Sequence, residues 1–119
     1  MTETKQTHSI TLASVVSSQI LAIGYAAETR QLFVEFKTKT PTRSIYAYEN
    51  VDPILAEEIL FGESVGAAFA RSIRLNSERY PYSRVTVQQM IDFGYSVCAR
   101  PDWFEALHES YVQRQSEAN

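Results

Sequence analysis

The hydrophobic pattern of this chain changes its period once, and that change constrains the fold more than any other feature. Up to residue 48 the apolar residues form short runs rich in β-branched and aromatic types, as is typical of strands. At Asp52-Pro53 the period lengthens to that of a helix, because Asp caps a helix and Pro is tolerated in its first turn. Strands followed by helices predict an α+β protein.

Three apolar runs are predicted to be strands of an antiparallel meander. They cover residues 15–25, 32–36 and 44–48, and short connections separate them. The connection over 37–43 contains Pro41, which cannot donate to a sheet ladder. We therefore expect a small antiparallel sheet of three or four strands packed by helices.

Helices are predicted over about 52–75 and again after Thr86. Thr86 and Gln89 have the spacing of a capping box, and Asp102 and Glu105 repeat that spacing at the start of a final helix. These positions predict a C-terminal helical extension that follows the sheet and its first helices.

Three segments have weaker patterns. Residues 80–84 are either a loop or a short extended piece, because the residue before Pro81 avoids the helical region. Residues 95–98 are either a short strand or an extended connection. Residues 1–9 are polar and without a period, so we expect a loose tail there.

Length and charge limit the class of protein. A chain of 119 residues suits a single domain over 1–119. Its net charge of -3 disfavours a protein that coats a nucleic acid duplex, although a local basic patch is compatible with it. The single cysteine excludes an internal disulfide, and no apolar run reaches the roughly 20 residues of a membrane span. A cytoplasmic protein that does not enter membranes is expected.

No set of residues has the pattern of a catalytic site. Cys98 is interpreted as a small buried residue, with a reactive thiol as the alternative. His8 lies in the tail, His108 is expected on the surface, and the adjacent Glu57 and Glu58 point apart on a helix. Two isolated histidines and one cysteine do not have the spacing of a metal site. We predict a protein that is not an enzyme and has no catalytic residues, metal or cofactor.

The start of the second predicted helix is a candidate anion site. Free backbone N–H groups and the helix dipole favour an anion there, and Gly66 removes a side chain that would hinder close approach. Ser64, Val65 and Gly66 are therefore candidate ligand-binding residues. The alternative is structural: Gly66 allows close packing and Ser64 is only a cap.

A second candidate is a cluster of cations and tyrosines over residues 71–84. Arginine binds phosphate through paired hydrogen bonds, and aromatic rings stack on bases. The alternative is a solvated helix end, where cations favour the dipole. The cluster contains a single acid, Glu78, and its other members are Arg71, Arg74, Arg79, Tyr80, Tyr82 and Arg84.

Arg114 is the third candidate, because it continues the apolar stripe of the final helix. It either snorkels to solvent or faces a subunit interface or an anion. The aromatic content of the same helix exceeds what one short helix needs, so a dimer or higher oligomer is expected; the side chains concerned are Trp103, Phe104, Leu107 and Tyr111. The full set of candidate ligand-binding residues is Arg30, Ser64, Val65, Gly66, Arg71, Arg74, Tyr82, Arg84 and Arg114.

Several short motifs follow one another along the chain. They are Val16-Ser17-Ser18, Ile23-Gly24-Tyr25, Tyr46-Ala47-Tyr48, Ser64-Val65-Gly66 with Phe69 and Ile73, and Tyr80-Pro81-Tyr82. Their order resembles the KTSC domain, a short bacterial and phage domain named for the C-terminus of some lysyl-tRNA synthetases. The resemblance covers roughly residues 14–84 and leaves 85–119 as an extension. This chain departs from the family pattern at Ala26, at the longer loop 37–43 and at Ala70.

The resemblance implies a fold and an RNA-binding role that has been suggested for the family. A KTSC-like core with a helical addition is also typical of a phage or prophage protein, so its compartment is the bacterial cytoplasm, or the host cytoplasm if a phage encodes it. By analogy in size, we compare the chain with phage anti-defence sponges that capture the cyclic ADP-ribose signals of the Thoeris system.

Three functions follow as hypotheses. The first is non-catalytic binding of a phosphate-bearing nucleotide, of the cyclic nucleotide or cyclic ADP-ribose type, for example as an anti-defence sponge. The second is an RNA-binding accessory module that stacks single-stranded RNA on Tyr46 and Tyr48, which alternation places on one face of the sheet. The third is a protein-interaction module, such as an inhibitor.

Overall fold

A computed structural model of the protein describes residues 10–118, so the tail predicted over 1–9 lies outside the described residues. Over these residues the fold is α+β, as predicted, with four α-helices and a six-stranded sheet. In chain order the elements are β1 (Thr11–Ser14), β2 (Ile20–Ala26), β3 (Gln31–Phe36), β4 (Ser44–Tyr48), α1 (Pro53–Phe61), α2 (Val65–Ser72), a 3₁₀ turn (Arg74–Asn76), β5 (Tyr82–Arg84), α3 (Val87–Phe93), β6 (Ser96–Cys98) and α4 (Asp102–Ala118).

The sheet is larger than the three or four antiparallel strands expected, and it is mixed. Its strand order is β5-β4-β3-β2-β1-β6, with antiparallel pairing throughout except that β6 runs parallel to β1. The run over 15–25 was interpreted as one strand. Instead, the chain turns at residues 15–19, where the Ser17 hydroxyl accepts from the backbone N–H of Ile20 at 3.3 Å. Strands β5 and β6 have three residues each, too few for a periodic signal.

Alternation along the strands gives the sheet two buried faces. The first face packs against α1, α2 and α4, and the second face packs against α3 and the segment after it. The buried cluster on the first face, the first core, includes the strand residues Ile23, Tyr25, Leu32, Val34 and Tyr48. The cluster on the second face, the second core, includes Leu12, Ala22, Phe33, Ile45 and Ala47.

Gly24 of β2 lies beside Leu12 of β1. A Cβ atom at this position would be 2.4 Å from Cδ2 of Leu12, well inside van der Waals contact. Leu12 is itself fully buried, so its side chain has little room to move away. The absence of a side chain at Gly24 therefore allows Leu12 to fill the second core.

The predicted helix starts are confirmed by their caps. Asp52 accepts from the N–H of Leu55 at 2.9 Å, and Ser64 accepts from that of Ala67 at 3.2 Å. Thr86 and Gln89 form both hydrogen bonds of the capping box, and α3 ends at Gly94 in the left-handed conformation (φ 61°). These local signals were sufficient because each bond joins residues only three positions apart.

Helix α4 begins at Asp102, where a final helix was predicted, and Asp102 and Glu105 both lie in its first turn. The Glu105 carboxylate pairs with Arg100 in the preceding turn. Trp103 fixes the same end of the helix, because its indole N–H donates to the backbone oxygen of Thr11 in β1 at 2.7 Å.

The extension after residue 85 wraps around the β1 edge of the sheet. Helix α3 lies on the second face, β6 pairs with β1, and α4 returns to pack on α1. Trp103 and Leu107 pack on the first core, and the rings of Phe104 and Tyr111 contact Phe61. The aromatic side chains that led us to expect an oligomer are therefore used within the chain, and the oligomer itself stays a prediction.

Over residues 10–118, no helix combines the length and the hydropathy needed to cross a bilayer.

Candidate functional site

A cavity of about 580 Å³ lies between the ends of β3, β4 and β5 and the C-terminal end of α2. We call it the aromatic cavity. Its walls come from four separate parts of the chain, brought together by strand pairing and by the turn that follows α2. The lining residues are Phe36, Lys37, Thr38, Ser44, Tyr46, Tyr48, Ile73, Arg74, Ser77 and Tyr82.

Strand register places four aromatic rings in this cavity. Tyr48 is paired with Tyr82 across β4 and β5, so their side chains lie on the same face of the sheet as that of Tyr46. Ring centroids are 5.4 Å apart for Tyr48 and Tyr82, and 5.8 Å apart for Tyr46 and Tyr82. Phe36 adds an edge contact with Tyr46, also at 5.8 Å.

These rings differ in their access to solvent. Tyr48 is buried, Tyr46 is half-buried, and Tyr82 is 56% exposed on the edge strand. Burial raises the pKa of the Tyr48 phenol, while the nearby Arg74 charge acts in the opposite direction. The net effect is a pKa above the usual value for tyrosine, so the phenol is protonated near pH 7 as an ordinary tyrosine is. Tyr46 and Tyr82 therefore offer ring surface to a ligand, whereas Tyr48 forms the base of the cavity.

Arg74 is the main cation of the cavity. Its guanidinium lies over the rings of Phe36 and Phe69, at 5.4 Å and 5.6 Å from their centroids. Among residues 10–118, no carboxylate pairs with Arg74, and the ion pairs of that region involve other arginines. The aromatic rings hold the Arg74 guanidinium in place, and its N–H groups remain available as hydrogen-bond donors.

The charge of the aromatic cavity is opposite to that of the whole chain. Its lining contains Lys37 and Arg74 but no Asp or Glu, whereas the chain carries a net charge of -3. Arg84 adds a further cation beside it, with its guanidinium 6.0 Å from the centroid of the Tyr46 ring. The local field therefore favours an anion with an aromatic component.

A second cavity, of about 280 Å³, lies on the other side of Arg74. We call it the serine cavity. It is lined by the turn between β1 and β2 and by the first two turns of α2. Its lining residues are Ser17, Ser18, Gln19, Ile20, Ser64, Gly66, Ala67, Phe69, Ala70 and Arg74.

Both structural alternatives for the start of α2 are observed. Ser64 caps the helix, and a Cβ atom on Gly66 would lie 3.0 Å from the hydroxyl oxygen of Ser17. Gly66 therefore lets α2 approach the turn between β1 and β2. These contacts explain both residues without a ligand, and an anion-binding role for them stays a prediction.

The structure brings together about half of the predicted ligand-binding residues. Arg74 lines both cavities, Tyr82 lines the aromatic cavity, and Ser64 and Gly66 line the serine cavity. Arg84 lies beside the aromatic cavity through its contact with Tyr46.

Four other predicted residues line neither cavity. Arg30 lies in the turn between β2 and β3 with a φ of 58°, and its backbone oxygen accepts from the N–H of Val51. Val65 packs against the first core, and Arg71 is exposed on α2. Arg114 has a partner within the chain, Glu57.

The contact between Arg114 and Glu57 explains the position of an arginine on an apolar stripe. The Arg114 Nε–H donates to Oε1 of Glu57 at 3.1 Å, and Nη2 contacts the same oxygen. Glu57 is only 3% exposed. Arg114 is thus directed towards a buried carboxylate of its own chain, rather than simply to solvent.

Two sequence interpretations of reactive residues need correction. Cys98 was expected to be buried, but it is exposed on the edge strand β6, where all three residues are exposed. His108 was expected on the surface, but it is half-buried between the rings of Phe61 and Phe104. Over the described part of the chain, no three His, Cys, Asp or Glu residues are grouped as metal ligands would be.

Phe36, Lys37 and Ser77 line the aromatic cavity and were not predicted. Phe36 reaches the site because it pairs with Ser44 at the end of β3, which places its ring beside that of Tyr46. Phe36 and Tyr46 lie on the same face of neighbouring strands. The sequence could have shown this only if the register between β3 and β4 had been known. For Ser77 the sequence carries no comparable signal.

The fold and these cavities define a small α+β domain with a cavity lined by cations and aromatic rings. The family model of the KTSC domain matches residues 16–80, more than half of the chain, so the chain belongs to the KTSC domain family. This confirms the resemblance found from the motifs.

The fold is also similar to the crystal structure of a KTSC domain protein from Yersinia pestis, with a TM-score of 0.56 and 23% sequence identity. The match covers 66% of this chain and 100% of that chain, so about a third of this chain lies outside it. At this identity the similarity shows the fold alone. No curated protein matches the chain.

Proposed function

We propose that the protein binds a phosphate-bearing nucleotide in the aromatic cavity without changing it chemically. The observation that carries this proposal is Arg74: a guanidinium without a carboxylate partner among the described residues, held over aromatic rings in a cavity lined by no acid. An exposed cation without a carboxylate partner among residues 10–118 favours an anionic ligand, and the rings beside it favour one that also carries a base.

The shape of the cavity supports a base-stacking role. Its volume of about 580 Å³ lies within the range of roughly 300–1,000 Å³ that is usual for small-molecule sites. Tyr46 and Tyr82 present ring surface at its open side, and stacking on such rings contributes about 1–3 kcal/mol per base.

The polar groups of the cavity support recognition of the sugar and phosphate. Arg74 offers a planar set of N–H donors that matches phosphate oxygens, and Lys37 adds a second positive charge. The hydroxyls of Thr38, Ser44 and Ser77 line the same space and can donate to or accept from a ribose.

Binding without turnover is favoured by what lines the cavity. The lining contains no carboxylate, imidazole or thiol, the groups that most often act as general acid, general base or nucleophile.

A second candidate function is binding of single-stranded RNA. Tyr82 favours it, because this ring is 56% exposed on an edge strand and is open to a base of a longer strand. The earlier hypothesis used Tyr46 and Tyr48 as the stacking pair. Tyr48 is buried, so Tyr46 and Tyr82 replace that pair in this proposal.

Calorimetry on the full chain tests both candidates. The probes are the nucleoside 5′-monophosphates, cyclic dinucleotides, cyclic ADP-ribose isomers and a short single-stranded RNA. Arg74→Gln should weaken binding at least tenfold. Arg71→Gln is the matched control, because Arg71 is exposed near the end of α2, three residues before Arg74, and lines neither cavity.

The outcomes separate the candidates. Binding of a small nucleotide that depends on Arg74 supports the first proposal, and binding of RNA alone supports the second. If no probe binds, or if both variants weaken binding equally, the aromatic cavity is not a nucleotide site, and a protein-interaction role becomes the one to test.

A further inference from the structure

We propose that the ligand contains two nucleosides joined by a phosphodiester, with the phosphate at Arg74 and one nucleoside in each cavity. This inference rests on the proposed function and specifies its ligand class. Its basis is that Arg74 lines both the aromatic cavity and the serine cavity.

Arg74 lies at the boundary of the two cavities. Its guanidinium is over Phe36, which lines the aromatic cavity, and also over Phe69, which lines the serine cavity. The two rings contact each other edge to face, with centroids 5.9 Å apart. The two rings hold the guanidinium at the boundary, where it can contact a ligand group that joins the contents of the two cavities.

The two walls are also fixed to each other by the backbone. The N–H of Lys37, which lines the aromatic cavity, donates to the backbone oxygen of Gln19 at 2.8 Å. Gln19 belongs to the turn that lines the serine cavity. The positions of the two cavities are therefore linked independently of Arg74, and a ligand would find both already formed.

The chemistry of the two cavities differs in a way that suits two nucleosides and one phosphate. Apart from Arg74 the serine cavity is uncharged, and its polar side chains are those of Ser17, Ser18, Gln19 and Ser64. Hydroxyls and a carboxamide donate to and accept from ribose hydroxyls and base edges. They offer no second cation for another phosphate.

The charge at the boundary distinguishes a diester from a monoester. A phosphomonoester carries about -1.5 to -2 at pH 7 and stands at the end of its ligand. A phosphodiester carries a single charge and has a nucleoside on each side. One cation with a cavity on each side matches the diester, and a mononucleotide would leave the serine cavity unused.

The test compares affinities measured by calorimetry on the full chain. The probes are nucleoside 5′-monophosphates, linear dinucleoside monophosphates, cyclic dinucleotides and a single-stranded RNA of about ten nucleotides. We expect the linear or cyclic dinucleotides to bind at least tenfold more tightly than the monophosphates, although each phosphodiester carries less charge. A preference for cyclic dinucleotides identifies a small-molecule ligand, and a preference for the longer strand identifies a dinucleotide unit of RNA.

A variant of the serine cavity provides the second measurement. Ala67 is exposed on α2 and lines this cavity, so Ala67→Gln fills part of it. The ratio of dinucleotide to mononucleotide affinity should fall at least fivefold in this variant. Ala106→Gln makes the same change at an exposed position of α4 that lines neither cavity, and it should leave the ratio unchanged.

Different results would overturn the inference and the proposed function. If monophosphates bind in an Arg74-dependent way but dinucleotides bind no more tightly, the inference is overturned and the proposed function stands. A ratio that does not change in Ala67→Gln also overturns the inference. If no nucleotide binds, both are overturned.

Discussion

Arg114 on α4 binds Glu57 on α1, and this contact joins two helices through residues 57 positions apart in the sequence. Glu57 has almost no access to water, and Arg114 is the cation that pairs with its carboxylate. At the other end of α4, Trp103 donates to the backbone of β1. The last helix is therefore fixed by polar contacts near both of its ends, and the apolar side chains between them pack on α1 and the first core.

Removal of Arg114 should destabilise the protein more than removal of another arginine of the extension. Arg114→Ala leaves the Glu57 carboxylate buried without its partner, which is more costly than loss of an exposed pair. Arg100→Ala is the matched control, because Arg100 and Glu105 are both exposed. Urea unfolding followed by circular dichroism measures the free energy of unfolding of each variant.

Equal unfolding free energies for Arg114→Ala and Arg100→Ala would show that the contact with Glu57 stabilises the protein no more than the exposed pair does. Because Arg114 lines neither cavity, the nucleotide affinity of the folded Arg114→Ala protein should be that of the unchanged chain. This replaces the expectation that Arg114 itself binds an anion.

Stability should fall at alkaline pH because of Tyr25. Its hydroxyl donates to the backbone oxygen of Val51 at 2.6 Å, and burial raises the pKa of Tyr25 to about 12. The unfolded chain has a tyrosine pKa near 10, so folding favours the protonated phenol. The stabilisation is complete below pH 10 and is lost as the pH rises towards 12, by roughly 2 kcal/mol for this residue.

The measurement is the free energy of unfolding as a function of pH from 8 to 12. Tyr25→Phe should be less stable at pH 8 by about 1 kcal/mol, the value of one hydrogen bond, and should lose less stability between pH 10 and 12. Some slope will remain, because burial also raises the pKa values of Tyr48 and Tyr95. An unchanged slope in Tyr25→Phe would contradict the assignment.

Local signals were sufficient to predict much of the secondary structure. The caps at Asp52, Ser64 and Thr86, and the end of α3 at Gly94, depend on residues a few positions apart. Strand β4 was predicted over the residues it occupies, since alternation along it is regular. Family membership was also found from the order of short motifs.

The size of the sheet and the form of the site could not be predicted in the same way. β6 has three residues and is a strand because β1 offers an unpaired edge. Its formation therefore depends on tertiary structure and not on a local sequence pattern. Arg114 was seen as unusual, but its partner lies on another helix. The aromatic cavity depends on which strands pair and in what register, so Phe36 and Ser77 were missed while Arg74 and Tyr82 were found.

Gly24→Ala should reduce stability by about 1–3 kcal/mol, the usual cost of overpacking a core. The new Cβ atom would lie 2.4 Å from Cδ2 of the fully buried Leu12, so either the side chain or the strand must shift. Thermal unfolding by calorimetry measures the effect.

Gly66→Ala provides the comparison for Gly24→Ala. Its Cβ atom would lie 3.0 Å from the Ser17 hydroxyl, a side chain in a turn, and alanine gains up to about 1 kcal/mol of helix propensity over glycine. We expect the stability of this variant to stay within about 1 kcal/mol of the original chain. A larger loss for Gly66→Ala than for Gly24→Ala would show that the turn at Ser17 is more rigid than the second core.

Tyr82 gives the most direct test of stacking in the aromatic cavity. Tyr82→Ala should weaken binding of the nucleoside 5′-monophosphates by about 1–3 kcal/mol, the usual contribution of one stacked base. Tyr82→Phe keeps the ring and should bind almost as the original chain does. Because this side chain is 56% exposed, the free energy of unfolding should change by less than about 1 kcal/mol, and calorimetry can be run on folded protein. If Tyr82→Phe is as weak as Tyr82→Ala, the hydroxyl rather than the ring makes the contact. If neither variant weakens binding, the base does not stack on Tyr82.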